Sequence, residues 1–129
     1  MNNEVINQYL PTYKEDFKND QGWIRKETLH YIFHYFSNSV AERDIGIIIG
    51  IQEESFRRII DFLNIESPKQ KIRYYFYPDR ETKIKFMGDG EYAQAIFKDY
   101  IIHILYTEEY KPIGEHEDTH LLSLPLGLA

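Results

Sequence analysis

The sequence predicts an α+β fold, in which strands and helices follow one another without a strict βαβ alternation. Three observations carry that expectation. Runs dense in aromatic and β-branched residues mark strands at Thr28–Phe36, Lys71–Tyr77 and Asp99–Tyr106. Between the first two, apolar residues recur at helical rather than alternating spacing. A final segment near the C-terminus, bounded by Pro112 and Pro125, reads as a second helix. No internal repeat, low-complexity run or linker interrupts the order, and 129 residues leave room for one domain.

Residues 1–22 are polar and mixed, with Pro11 and Gly22 as breakers. They suit a short helical arm or a loosely packed lead-in, and the expected organisation is a lead-in over 1–27 followed by the domain over 28–129. The run TLHYIFHYF from Thr28 carries apolar groups on both faces, as a strand inside a covered sheet does. Ser39-Val40-Ala41-Glu42 then matches a capping box, in which serine and glutamate satisfy two free amides at a helix start. Asp44 adds negative charge in the first turns, where the helix dipole favours it. Ile45, Ile48, Ile49, Phe56, Ile59, Ile60 and Leu63 share one face, predicting a helix from Val40 to Leu63.

A polar loop at Ser67–Gln70 precedes the KIRYYFY strand, which Pro78-Asp79 ends. Thr82–Met87, with Ile84 and Phe86 two apart, reads as a short third strand. Gly88-Asp89-Gly90 is a turn, Glu91–Asp99 a short helix or an irregular connection, and DYIIHILY another strand.

Composition excludes several function classes. Hydrophobic residues make up 43% and charged residues 28%, a balance that folds. No apolar run approaches the roughly 20 residues of a bilayer span. A formal charge of −6 has the wrong sign for a surface that neutralises phosphates, so nucleic acid is not an expected partner. The absence of cysteine excludes disulfides, iron–sulfur clusters and thiolate zinc sites. Met1-Asn2-Asn3-Glu4 lacks the basic start and apolar core of a signal peptide.

One motif carries chemistry. His116-Glu117-Asp118-Thr119-His120 is an H-E-x-x-H sequence. On a helix the two histidines lie one turn apart on one face, about 6 Å between β-carbons, and can close on one Zn2+. Glu117, beside the first ligand, reaches the metal's water without occupying a ligand position. It is the expected general base and, later, the proton donor to the leaving amine.

The chain resembles the N-terminal part of a catalytic domain of the gluzincin, peptidase MA-like kind. The resemblance runs from about Thr28 to Leu124, with HEDTH its only specific motif and the remainder an order of elements. It implies a zincin-like subdomain in which TLHYIFHYF is the first strand, Ser39–Leu63 the backing helix and KIRYYFYP the second strand. YIIHILY then corresponds to the edge strand that binds substrate backbone, and IGEHEDTHLLS to the zinc-site helix. The implied function is zinc-dependent hydrolysis of a peptide or protein substrate, with His116 and His120 as ligands and Glu117 as catalytic base. Extracytoplasmic location follows from the same analogy alone.

The sequence departs from that family at one point. Gluzincins take a third ligand from a glutamate well downstream, whereas LLSLPLGLA after His120 holds no acidic residue, histidine or cysteine. The expectation is therefore a partial domain, not a competent enzyme alone, that exposes the apolar face of Leu121 to Leu128 and self-associates through it. The alternative is a complete, non-catalytic α+β binding module with a coincidental or degenerate HEDTH.

Other constellations read as structural. His30 and His34, four apart on a strand, would lie about 13 Å apart along one face. His103 reads as a packed, hydrogen-bonded residue. Gly46 and Gly50 suit close helix–sheet packing rather than membrane pairing. Gly88-Asp89-Gly90 lacks the third glycine of a dinucleotide loop. The 19 tyrosines and phenylalanines are explained by a small aromatic core. Glu53 and Glu54 read as a solvated helix face, and Ser123 has no acid–histidine set to make it a nucleophile.

Overall fold

Among the described residues, antiparallel and parallel pairing meet in one six-stranded mixed sheet of order β1-β2-β3-β4-β6-β5. A computed structural model of the chain describes residues 17–18, 22–114 and 116–123. The strands are β1 Phe17–Lys18, β2 Trp23–Glu27, β3 Tyr31–Phe36, β4 Ile72–Tyr77, β5 Ala93–Ile96 and β6 Ile101–Leu105. Three α-helices accompany them among the described residues: α1 Val40–Leu63, α2 Arg80–Met87 and α3 His116–Ser123. β3, β4 and β6 run parallel, while β1 and β2 on one side and β5 on the other are antiparallel additions. The expected lead-in over residues 1–16 and the apolar tail from Leu124 lie outside the described residues.

α1 forms where its cap and periodicity predict. Ser39 has extended φ/ψ and its Oγ accepts from the Glu42 amide at 3.1 Å. Glu42 reaches back to the Asn38 amide at 2.7 Å, so the box closes one residue earlier than its usual form. Asn64 ends the helix in the left-handed conformation, with its amide on Asp61. The apolar face expected of α1 meets the sheet: Ile48, Ile49, Phe56 and Ile59 are buried, and Ile45, Ile60 and Leu63 pack against them. Asp44 is not simply a dipole partner, since it accepts the Tyr106 hydroxyl at 3.0 Å and pairs with Arg43 and Lys111.

Three expectations need correction. Thr28–His30 is not strand but the turn of a hairpin, closed by the Thr28 amide on the Tyr31 carbonyl at 2.9 Å. The other arm is β2, so part of the segment read as lead-in belongs to the sheet. Thr82–Met87 is not a strand either. Asp79 caps α2 by accepting from the Thr82 amide at 2.7 Å, and Gly88 at φ 81° terminates it. Ile84 and Phe86 imitate alternation, but Lys83 between them is the residue that α2 buries, its Nζ on Asp89 and Gln94. Glu91–Asp99, finally, is a short edge strand, β5, and a single 3-10 turn.

The parallel core strands send alternate side chains to two faces. Tyr31, Phe33, Tyr74, Phe76, Ile102 and Ile104 meet α1 and α3 in the main core. On the other face Trp23, Tyr77 and Leu105 form a second cluster with Phe36, Tyr75, Phe86 and Met87. Among the described residues no helix is long and apolar enough to cross a membrane.

Candidate functional site

α3 rests on the sheet by one side only. Asp118, Leu121 and Leu122, spaced three and four apart, are buried, so the first two leucines of the face expected to be exposed belong to the core instead. That periodicity turns His116 and His120 outward, and both are exposed. Their ring centroids lie 5.0 Å apart at an interplanar angle of 83°. Two imidazoles bound to one tetrahedral ion at roughly 2.0–2.1 Å would have centres about 5 Å apart, so the pair fits two positions of one zinc site. Among the described residues no cluster of three His, Asp or Glu side chains could complete it.

Glu117 takes an intermediate position, its side chain 18% exposed against 81% for His116. It borders a cavity of about 210 Å3 between Tyr74 of β4, Ile104 of β6, the 110–114 loop and the start of α3. Tyr74, Ile104, Tyr110, Pro112 and Ile113 supply most of its remaining wall. Burial pushes the Tyr110 phenol above its usual pKa, and the Glu117 charge adds to the effect. The structure thus brings the three expected site residues to one short helix, with both histidines exposed and His116 lining the same cavity as Glu117.

Sequence reasoning missed a charged residue that α3 buries as completely as Leu121. The Asp118 carboxylate accepts hydrogen bonds from the Tyr31 hydroxyl, from the Tyr74 hydroxyl at 2.5 Å and from Gln52 Nε2 at 3.0 Å. Burial raises its pKa to about 7 against the opposing pull of those donors. Tyr31 and Tyr74 are raised well above the ordinary phenol range by the same burial and by the neighbouring acid. The available signal was helical: Asp118 precedes Leu121 and Leu122 by three and four residues.

Two further expectations change. Glu53 is buried instead of solvated, accepting from the Thr28 hydroxyl at 2.8 Å, the His30 amide at 2.9 Å and His30 Nδ1 at 2.5 Å. Its partners lie 23 and 25 residues away, so nothing local in the sequence announces them. YIIHILY is not an edge: β6 lies between β4 and β5, and the edge strand beside α3 is β5. His103 sits on β6, buried, with Nδ1 and the Tyr77 hydroxyl 2.9 Å apart. His34 donates from Nδ1 to the Tyr74 carbonyl at 3.3 Å.

Compared with known proteins, the chain matches no family model, no curated protein and no solved structure.

Proposed function

We propose that this chain carries the N-terminal part of a zinc-dependent metallopeptidase domain, with HEDTH as its metal and base segment. The observation that carries the reading is the disposition of α3. His116 and His120 share an outward face with rings 5.0 Å apart, while Glu117 borders the adjoining cavity. Supporting it are the long helix that backs a mixed sheet and an antiparallel edge strand beside the HEDTH helix.

In this reading His116 and His120 each give a neutral imidazole nitrogen to the ion, and a third ligand comes from outside the described residues. Zinc, when bound, supplies a Lewis acid and brings the pKa of water towards about 7. Glu117 does the proton work: its carboxylate accepts a proton from the attacking water and returns it to the leaving amine. The cavity beside it, walled by Ile104, Pro112 and Ile113 together with Tyr74, Tyr110 and His116, would take a part of a peptide that is both apolar and polar. β5, exposed along one edge, offers main-chain groups to an extended peptide.

Zinc titration of the purified chain tests the reading. Wild-type chain should bind zinc, His116→Ala and His120→Ala should each lower affinity at least about tenfold, and Glu117→Gln should leave it nearly unchanged, as befits a base that is not a ligand. Equal binding by wild type and both histidine variants would overturn it and favour a non-catalytic binding module.

A further inference from the structure

We propose that Asp118 is the positioning residue of this site: held by Tyr31, Tyr74 and Gln52, it sets the rotation of α3 and so the directions of His116, Glu117 and His120. The inference rests on the metallopeptidase reading for its purpose and on the packing of α3 for its geometry.

α3 has eight residues, about two turns, too short to be stable through its own hydrogen bonds. Its buried leucines, Leu121 and Leu122, are in the second turn. In the first turn, which carries His116 and Glu117, the buried side chain is Asp118. Apolar contact tolerates a small roll of a helix, whereas hydrogen bonds weaken steeply with misdirection. Here three donors from three elements converge on one carboxylate: Tyr31 from β3, Gln52 from α1 and Tyr74 from β4.

Gln52 extends the device. Its Nε2 donates to Asp118 at 3.0 Å, and its Oε1 accepts the Gly114 amide at 2.5 Å. Gly114, at φ 123°, belongs to a backbone region that side chains rarely adopt. One side chain of α1 therefore references both the approach to α3 and its first turn. Tyr74 also walls the cavity that Glu117 borders, so the clamp and the proposed base share a neighbour.

The test compares the intact chain with Asp118→Asn, Asp118→Ala and the double variant Tyr31→Phe/Tyr74→Phe, which keeps both rings and removes only the hydroxyls. Two quantities are read well below the unfolding midpoint: affinity for zinc alone, and hydrogen exchange of the α3 amides. Asp118→Ala and the double variant should lower zinc affinity about 10- to 100-fold, the range for supports of metal ligands, with Asp118→Asn recovering part of the loss. Exchange in α3 should quicken at least about tenfold while α1 keeps its protection. Unchanged affinity and unchanged α3 exchange in the double variant would overturn the proposal. If the wild-type chain binds no zinc, the metallopeptidase reading fails and exchange alone decides the positioning role: quickened α3 amides sustain it, unaltered ones end it.

Discussion

Two pairs of histidines occupy opposite circumstances in this molecule. His34 and His103 lie on the far face of the sheet, stacked on either side of Tyr75 with ring centroids 4.1 and 5.0 Å from it. Their strands are separated by β4, so the backbones stand about 9–10 Å apart and the Tyr75 ring fills the space between the two imidazoles. Burial lowers the pKa of both to about 4, and one ring nitrogen of each is engaged. His116 and His120, one helical turn apart, face outward with their rings 5.0 Å from each other. The same side chain is packing material in one place and an exposed neighbour of its own kind in the other. Backbone period and exposure make that difference, which residue identity alone does not reveal.

Removing the cover of the sheet pair should have the largest effect. Trp23 stands edge-on to Tyr75 and Tyr77, both at 5.2 Å, and is buried. Trp23→Ala should cost about 3–5 kcal/mol in urea unfolding and return the His34 pKa towards its ordinary value, as read by NMR. A loss under 1 kcal/mol would mean that the second cluster is not a core.

Acid should act on the sheet pair next. Both imidazoles are neutral in the fold but titrate near 6.5 when unfolded, so the unfolded chain binds more protons between those values. Their contribution is whole above about pH 6.5 and is lost as pH falls towards 4. The urea midpoint should decline across that window, and His34→Gln/His103→Gln should flatten the decline. An undiminished slope in the double variant would remove these residues from the account.

His30 is an intermediate case, stacked on Phe56 at 4.1 Å with Nδ1 on Glu53. Glu53→Ala leaves the Thr28 hydroxyl and the His30 amide without their acceptor and should cost about 1–3 kcal/mol. The smallest stability effect belongs to the helix pair. His116→Ala and His120→Ala should change stability by no more than about 0.5 kcal/mol, because exposed side chains outside a hydrogen-bond network rarely matter more.

Much of this was legible in the sequence. α1 could be read to its ends because Ser39 and Glu42 cap it and its isoleucines keep one period over six turns. β4 and β6 were legible from dense runs of aromatic and β-branched residues. α2 was not, because two apolar residues two apart suit either period and only the Asp79 cap distinguishes them. HEDTH could be read as a spacing, and its spacing predicted the shared face of the two histidines, while its outward direction follows from the burial of Asp118, Leu121 and Leu122. The burial of Glu53 and the convergence of Tyr31, Gln52 and Tyr74 on Asp118 depend on chain segments brought together only by folding. So does the identity of the edge strand, since β5 is short and pairs backwards onto β6.

The most direct test of the central claim is a zinc titration followed in the imidazole nitrogen spectra of all five histidines. The account predicts that His116 and His120 shift together at one stoichiometry while His34 and His103 stay unmoved. Zinc that shifts the sheet pair, or shifts His116 without His120, would contradict it.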